Sequence, residues 1–163
     1  MFTSLRAISV AAAVAVAAVA VPTLTSAQTD GSRDITVREK VRAVKFVHAG
    51  ASSRGERLAM GDHVLTRQAL SDDKGGALGA LFTDCANVGR PAAVFKATLQ
   101  CTSTYRFKDG EVIAAGVVRL DSTQGLEFPI VGGSGAYRSA DGQVTPGAPV
   151  KGYDGVDVLH LDG

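Results

Sequence analysis

A few residues in this sequence are of a type and spacing that could do chemistry. Residues 35–43 alternate apolar with polar side chains, and the apolar face of that run carries one carboxylate, Glu39. A carboxyl held among apolar side chains keeps its proton to higher pH, and serves as a general acid or an electrostatic steering group. If the strand is rotated, the same side chain is simply solvated beside Arg38 and Lys40. Tyr105 lies in a second apolar-rich run. Its hydroxyl either donates a hydrogen bond to a bound molecule inside the fold or sits at the rim while the ring packs. Cys85 and Cys101 fall in consecutive predicted strands. In an oxidising compartment they pair as a disulfide, whereas in a reducing one Cys85 is a free, reactive thiol.

Other candidates carry less. His63 reads as a surface or packed residue rather than a base. The two cysteines with His48, His63 and His160 lack the paired spacing of a metal site, so neither a metal nor another cofactor is expected. Gly132-Gly133-Ser134-Gly135 lacks the Lys-Ser/Thr ending of a phosphate loop and no helix follows it, which leaves a turn or bulge that needs positive φ. Ser134 has no acid and base partners in view. Asp72-Asp73 lacks the alternating ligands of a calcium loop and reads as a solvated turn.

The elements that position these residues are strands. Residues 35–43 form the first, and the apolar parity then switches to Val44 and Phe46, which predicts a bulge or bend. Residues 49–61 read as a flexible connection over one end of the fold. Residues 62–70 and 77–85 follow, then 94–107, with an Asp109-Gly110 hairpin turn leading into 111–120. Residues 126–131, 142–144 and 156–161 complete eight candidate strands, the last with Asp157, Leu159 and Leu161 on one face. No convincing helix accompanies them. Eight short antiparallel strands without covering helices are best served by closure into a barrel, which leaves no free edge; a two-sheet sandwich is the alternative.

Length, charge and the N-terminus bound the rest. The 163 residues make about one domain, and 17 Lys+Arg against 16 Asp+Glu give no basic surplus for a nucleic-acid partner. Arg6, the uncharged Ala/Val-rich residues 7–21, Pro22 and the small residues up to Ala27 have the form of a cleavable signal peptide. That run is shorter than the roughly 20 residues of a membrane-spanning helix, so no stable span is expected. Residues 1–27 are therefore expected to be removed, 28–34 to form a loose tail and 35–163 the barrel, secreted to the cell exterior.

Residues 129–144, PIVGGSGAYRSADGQV, resemble the glycine signature of allene oxide cyclases and dirigent proteins. Gly61-Asp62, the turn at 70–76, Asp84-Cys85 and residues 105–110 agree with it in order and spacing, so the likeness spans roughly 61–144. The resemblance implies an all-β, eight-stranded antiparallel barrel with a small, mainly apolar cavity, assembled as a homotrimer in the plant relatives. It implies an isomerase-type activity in which the shaped cavity steers cyclisation of an apolar substrate. Glu39 corresponds to the cyclases' first-strand carboxylate, Gln68 to a cavity Asn, and Cys85 to a cavity Cys. Val41 stands where the cyclases have a water-holding Asn, and Asp141 where many members have Arg. Glu39 and Gln68 are thus the candidate catalytic residues and Tyr105 the candidate ligand contact. The expected partner is a small apolar molecule, acted on stereoselectively or merely carried by a non-catalytic or structural secreted barrel.

Overall fold

The computed structural model describes residues 32–50, 57–119, 121 and 126–162. The expected signal peptide and most of the tail lie outside these residues, as does the middle of the connection at 49–61. The strands are β1 (Arg33–Val47), β2 (Arg57–Leu58), β3 (His63–Ser71), β4 (Ala77–Asn87), β5 (Ala92–Ala93), β6 (Thr98–Phe107), β7 (Gly110–Arg119), β8 (Phe128–Gly135), β9 (Asp141–Gly147) and β10 (Gly155–Asp162). Eight of them close into an antiparallel barrel in the order β1-β10-β9-β8-β7-β6-β4-β3, with β3 pairing back onto β1. Closure pairs the backbone N–H and C=O groups that an open sheet would leave at two edges. The sandwich is thereby excluded.

The parity switch in β1 is a bulge. Val41 pairs with Gln68 and Ala43 with Arg67, so Arg42 is the extra residue. Up to Glu39 the strand also pairs with β10; beyond it, only with β3. The bulge lets one strand serve both neighbours and turns Val44 and Phe46 to the face that Val37 and Glu39 occupy below it.

Two local expectations are corrected. Residues 94–96 are not the start of a strand: Val94–Lys96 form a 3-10 turn, and β6 begins at Thr98. The chain here descends from a small ladder, Arg57–Leu58 against Ala92–Ala93, and must change direction before it joins the wall. The Asp109-Gly110 hairpin exists and Gly110 has positive φ, +158°, but the two linking residues are Lys108 and Asp109, Phe107 pairs with Gly110, and among the described residues no non-glycine residue has positive φ. The need for glycine there is close approach. Gly110 pairs with Gly135 of the glycine signature, and a Cβ on either would collide with backbone, on Ser134 O or Asp109 O. Gly135 itself has φ +60°, the left-handed region open to glycine. The expected bulge lies in the same strand, at Val131, where the β7–β8 register slips.

The interior is packed in two clusters. At one end Val37, Leu70, Leu81, Val112, Val144 and Leu159 form an apolar core, with the Tyr137 ring tilted at 43° against Phe107 at a centroid distance of 5.4 Å. At the other end Leu58 of the small ladder packs on Ala97, Leu99 and Val118. Buried Asn87 fixes that cap by donating to Leu58 O and accepting from Gly89 N. Asp62 does the same by accepting from the N–H groups of Ala49 and Ala59. Cys85 and Cys101, register partners on β4 and β6, form a disulfide with a Cα–Cα distance of 4.0 Å, so neither is a free thiol. The bridge closes a loop with a sequence separation of 16, worth about 3 kcal/mol in the chain-entropy model. Reduction with dithiothreitol is expected to lower the unfolding free energy by about that amount, read as a shift of the urea midpoint at unchanged m-value.

Candidate functional site

Where the first cluster gives way to the second, the barrel wall carries polar side chains among the apolar ones. Register places inward-facing side chains in rows across the sheet: Val41, Gln68, Leu81, Tyr105 and Val112 in one, and Val44, Thr66, Thr83, Ser103 and Ala114 in the next. Thr83 and Ser103 hydroxyls lie 3.3 Å apart. Below these rows, on adjacent strands, Glu39 and Asp157 also point inward. Glu39 is 7% exposed, Asp157 7% and Tyr105 3%.

β6 and β10 are four steps apart in either direction around the eight-stranded barrel. Tyr105 on one wall therefore reaches straight across the lumen, where its hydroxyl donates to Asp157 Oδ2 at 2.5 Å. Asp157 in turn lies close enough to Glu39 for the two carboxyls to interact. Glu39 has room for its carboxyl because its register partner is Gly155, where a Cβ would stand 3.1 Å from Glu39 Oε2. Burial foremost, then the hydrogen bond and the charge of Asp157, push the Glu39 carboxyl up to about 9 from an ordinary 4.5, so it holds a proton at neutral pH. Burial and the neighbouring Asp157 charge likewise raise the Tyr105 hydroxyl, which stays protonated and able to donate. The constellation is a carboxyl–carboxylate pair strutted from the opposite wall by a phenol.

Three buried oxygens on this side of the lumen have no hydrogen-bond partner: Glu39 Oε1, Gln68 Oε1 and Thr66 Oγ1. They belong to neighbouring strands, β1 and β3. Beyond them the wall is apolar and wet. Val41, Val44 and Phe46 face inward by register, yet are 38%, 52% and 42% exposed. Solvent thus reaches the inner face of β1 above the carboxyl pair.

Each residue singled out in the sequence now has a place. Glu39 and Tyr105 face the lumen and meet through Asp157. Gln68 faces the same lumen one row above Glu39, while Arg67 points outward with its guanidinium 5.9 Å from the Phe82 ring. His63 is outside the barrel, 2.6 Å from Asp84 Oδ1. Asp141 lies at the start of β9, where its side chain accepts from the N–H of Gly142. Among the described residues no group of three His, Cys, Asp or Glu side chains is placed to hold a metal ion. Asp157 is the functional candidate that sequence reasoning passed over. Its signal was the one that marked Glu39: an acid alternating with Leu159 and Leu161 on an apolar strand face.

A model of the allene oxide cyclase barrel-like domain matches residues 43–154, more than half of the sequence. The chain belongs to that family. The matched stretch includes Gln68, Tyr105 and the glycine signature, but both carboxyls of the pair lie outside it. Among solved structures, family-like barrels superpose over most of the chain. A pyocyanin demethylase aligns with TM-score 0.63 at 22% identity, covering 79% of this chain and 99% of its own. A pterocarpan synthase dirigent protein aligns with TM-score 0.58 at 15% identity, over 80% and 83%. An exo-specific intermolecular Diels-Alderase aligns with TM-score 0.56 at 17% identity, over 82% and 99%. At such identities the likeness is one of fold. No curated protein matches the chain in sequence.

Two outcomes follow from the pair. Between pH 4.5 and 9 the folded protein holds a proton on Glu39 that the unfolded chain has released. Its stabilising contribution is therefore full below pH 4.5 and is lost as pH rises towards 9, at up to about 1.4 kcal/mol per pH unit. Urea titrations at pH 5, 7 and 9 are expected to show this decline in the wild type and to show it flattened in Glu39→Gln. Tyr105→Phe removes the hydroxyl that donates to Asp157 Oδ2 across the lumen, and is expected to cost about 1–3 kcal/mol in the same assay.

Proposed function

We propose that this barrel binds a small, largely apolar molecule against the wet inner face of β1 and directs its stereoselective cyclisation or isomerisation. The observation that carries this reading is a carboxyl, Glu39, buried at the base of an apolar surface that solvent can reach, with Oε1 unpartnered; that burial pushes it up to about 9 and favours its protonated form. Such a reaction rearranges bonds within one molecule and needs no co-reactant. The walls restrict the guest to the conformers that lead to one ring, which converts binding into rate. Glu39 donates its proton, or a strong hydrogen bond, to an oxygen that gains negative charge as a bond breaks. The Asp157 carboxylate faces whatever positive charge develops on the carbon framework. Tyr105 fixes Asp157, and Gln68 orients the guest's polar edge.

Barrels of similar fold include a pterocarpan synthase dirigent protein and an intermolecular Diels-Alderase, whose names describe work on small molecules; this supports the substrate class. Export is part of the proposal. The disulfide suits an oxidising compartment, and Arg6 with the apolar run to Val21 supports signal-directed secretion. Among the described residues no helix is long and apolar enough to cross a membrane.

The test is native mass spectrometry of protein from its own culture medium, followed by chiral chromatography of the released guest. A mature chain beginning at Gln28 with a small apolar molecule bound is expected. Glu39→Gln is expected to retain a guest while converting it at least about 100-fold more slowly. An unmodified conversion rate in that variant would sink the catalytic role of Glu39.

A further inference from the structure

Every titratable side chain that the described barrel turns towards its lumen at the pair is an acid. Glu39 faces in from β1, Asp157 from β10 and Tyr105 from β6, while the inward positions of β3, β4, β7, β8 and β9 carry apolar or uncharged polar groups. The nearest basic groups are turned away. Lys40 reaches Asp154 Oδ2 at 4.0 Å on the outer face, where Asp154 also accepts from Val41 N. Arg33 reaches the Tyr137 hydroxyl at the far, packed end. Asp62, the other buried acid among the described residues, belongs to the cap and is satisfied there by backbone N–H groups and His48. The carboxyl pair therefore carries at least one negative charge that no base in the lumen offsets, and a buried charge without a counter-charge is a standing cost.

A guest can supply what the wall lacks. The unpartnered Glu39 Oε1, with its side chain more than nine-tenths buried, and the unpartnered Gln68 Oε1 and Thr66 Oγ1 are oxygens able to accept or to face positive charge. Val41, the next inward residue of β1, is already well exposed, so the pair is one step from solvent. Resting on the lumen-binding reading above, we infer that the barrel selects molecules bearing a positive charge, such as a quaternary or aromatic nitrogen, on an apolar frame, and rejects carboxylates of the same shape. The apolar walls hold the frame, and the carboxyl pair faces the charge.

pH follows from the same arrangement. At neutral pH Glu39 keeps its proton. As pH rises towards 9 the second carboxyl ionises, and the attraction for a cation grows.

A cation and its neutral isostere, 2-naphthyltrimethylammonium and 2-tert-butylnaphthalene, with the anion 2-naphthoate on the same ring system, separate charge from shape when titrated into the full mature chain by calorimetry and naphthalene fluorescence from pH 6 to 10. The cation is expected to bind at least about tenfold tighter than the neutral isostere at pH 7, and the naphthoate weaker than both. Cation affinity is expected to rise several-fold up to about pH 9 and then level off, with proton release detected in buffers of different ionisation enthalpy. Glu39→Gln is expected to keep the preference, through the Asp157 charge, but to lose the pH dependence and the proton release. Asp157→Asn is expected to lose the preference at pH 7. Equal binding of the cation and the neutral probe by the wild type overturns the charge selection and leaves the lumen-binding reading standing. Failure of all three probes to bind overturns both.

Discussion

The structure depends on placing two carboxyls side by side inside a barrel. Glu39 and Asp157 come from adjacent strands, and neither has a base to pair with in the lumen. Two like charges there would repel one another in a medium that screens poorly. The fold resolves this with a proton on Glu39 and a hydrogen bond from Tyr105, which spans the barrel to reach Asp157. That bond also divides the interior. On one side the core is apolar and filled by Val, Leu and Tyr side chains; on the other the wall becomes polar, then apolar and wet.

The division coincides with the point where the inner face of β1 becomes exposed. The bulge at Arg42 carries β1 past β10 and keeps Val41, Val44 and Phe46 on the inner face where no neighbouring strand covers them. The cap ladder and Leu58 shut the end beyond, and the Cys85–Cys101 bridge braces the wall next to it. At the opposite end, the close contact of Gly110 with Gly135 brings β7 and β8 together tightly enough for Tyr137 to reach Phe107. Closure at both ends leaves the side chains of Thr66, Gln68, Thr83 and Ser103 facing inward between them.

Much of this was legible in the chain. Alternation located the strands because side chains in a strand point to opposite faces with period two. The same alternation put Glu39 on an apolar face and, read as strictly, puts Asp157 there too. The switch of parity before Val44 announced the bulge to within a residue or two. Local pattern was less informative where the chain changes direction. Residues 94–96 look like strand because they are apolar, and become a 3-10 turn because the cap ladder must connect to the wall. The Asp-Gly pair reads as a positive-φ turn, but its glycine answers to a strand distant in sequence.

By itself the sequence determined the local periodicities, the face on which each acid lies and the glycine signature, since these depend on neighbours a few residues away. Only the tertiary structure decided that Tyr105 meets Asp157, that Asp157 meets Glu39, and that one of the two acids keeps its proton. Those contacts join residues up to 118 positions apart in number, and their energies come from closure of the barrel and exclusion of water, which no short stretch of chain encodes.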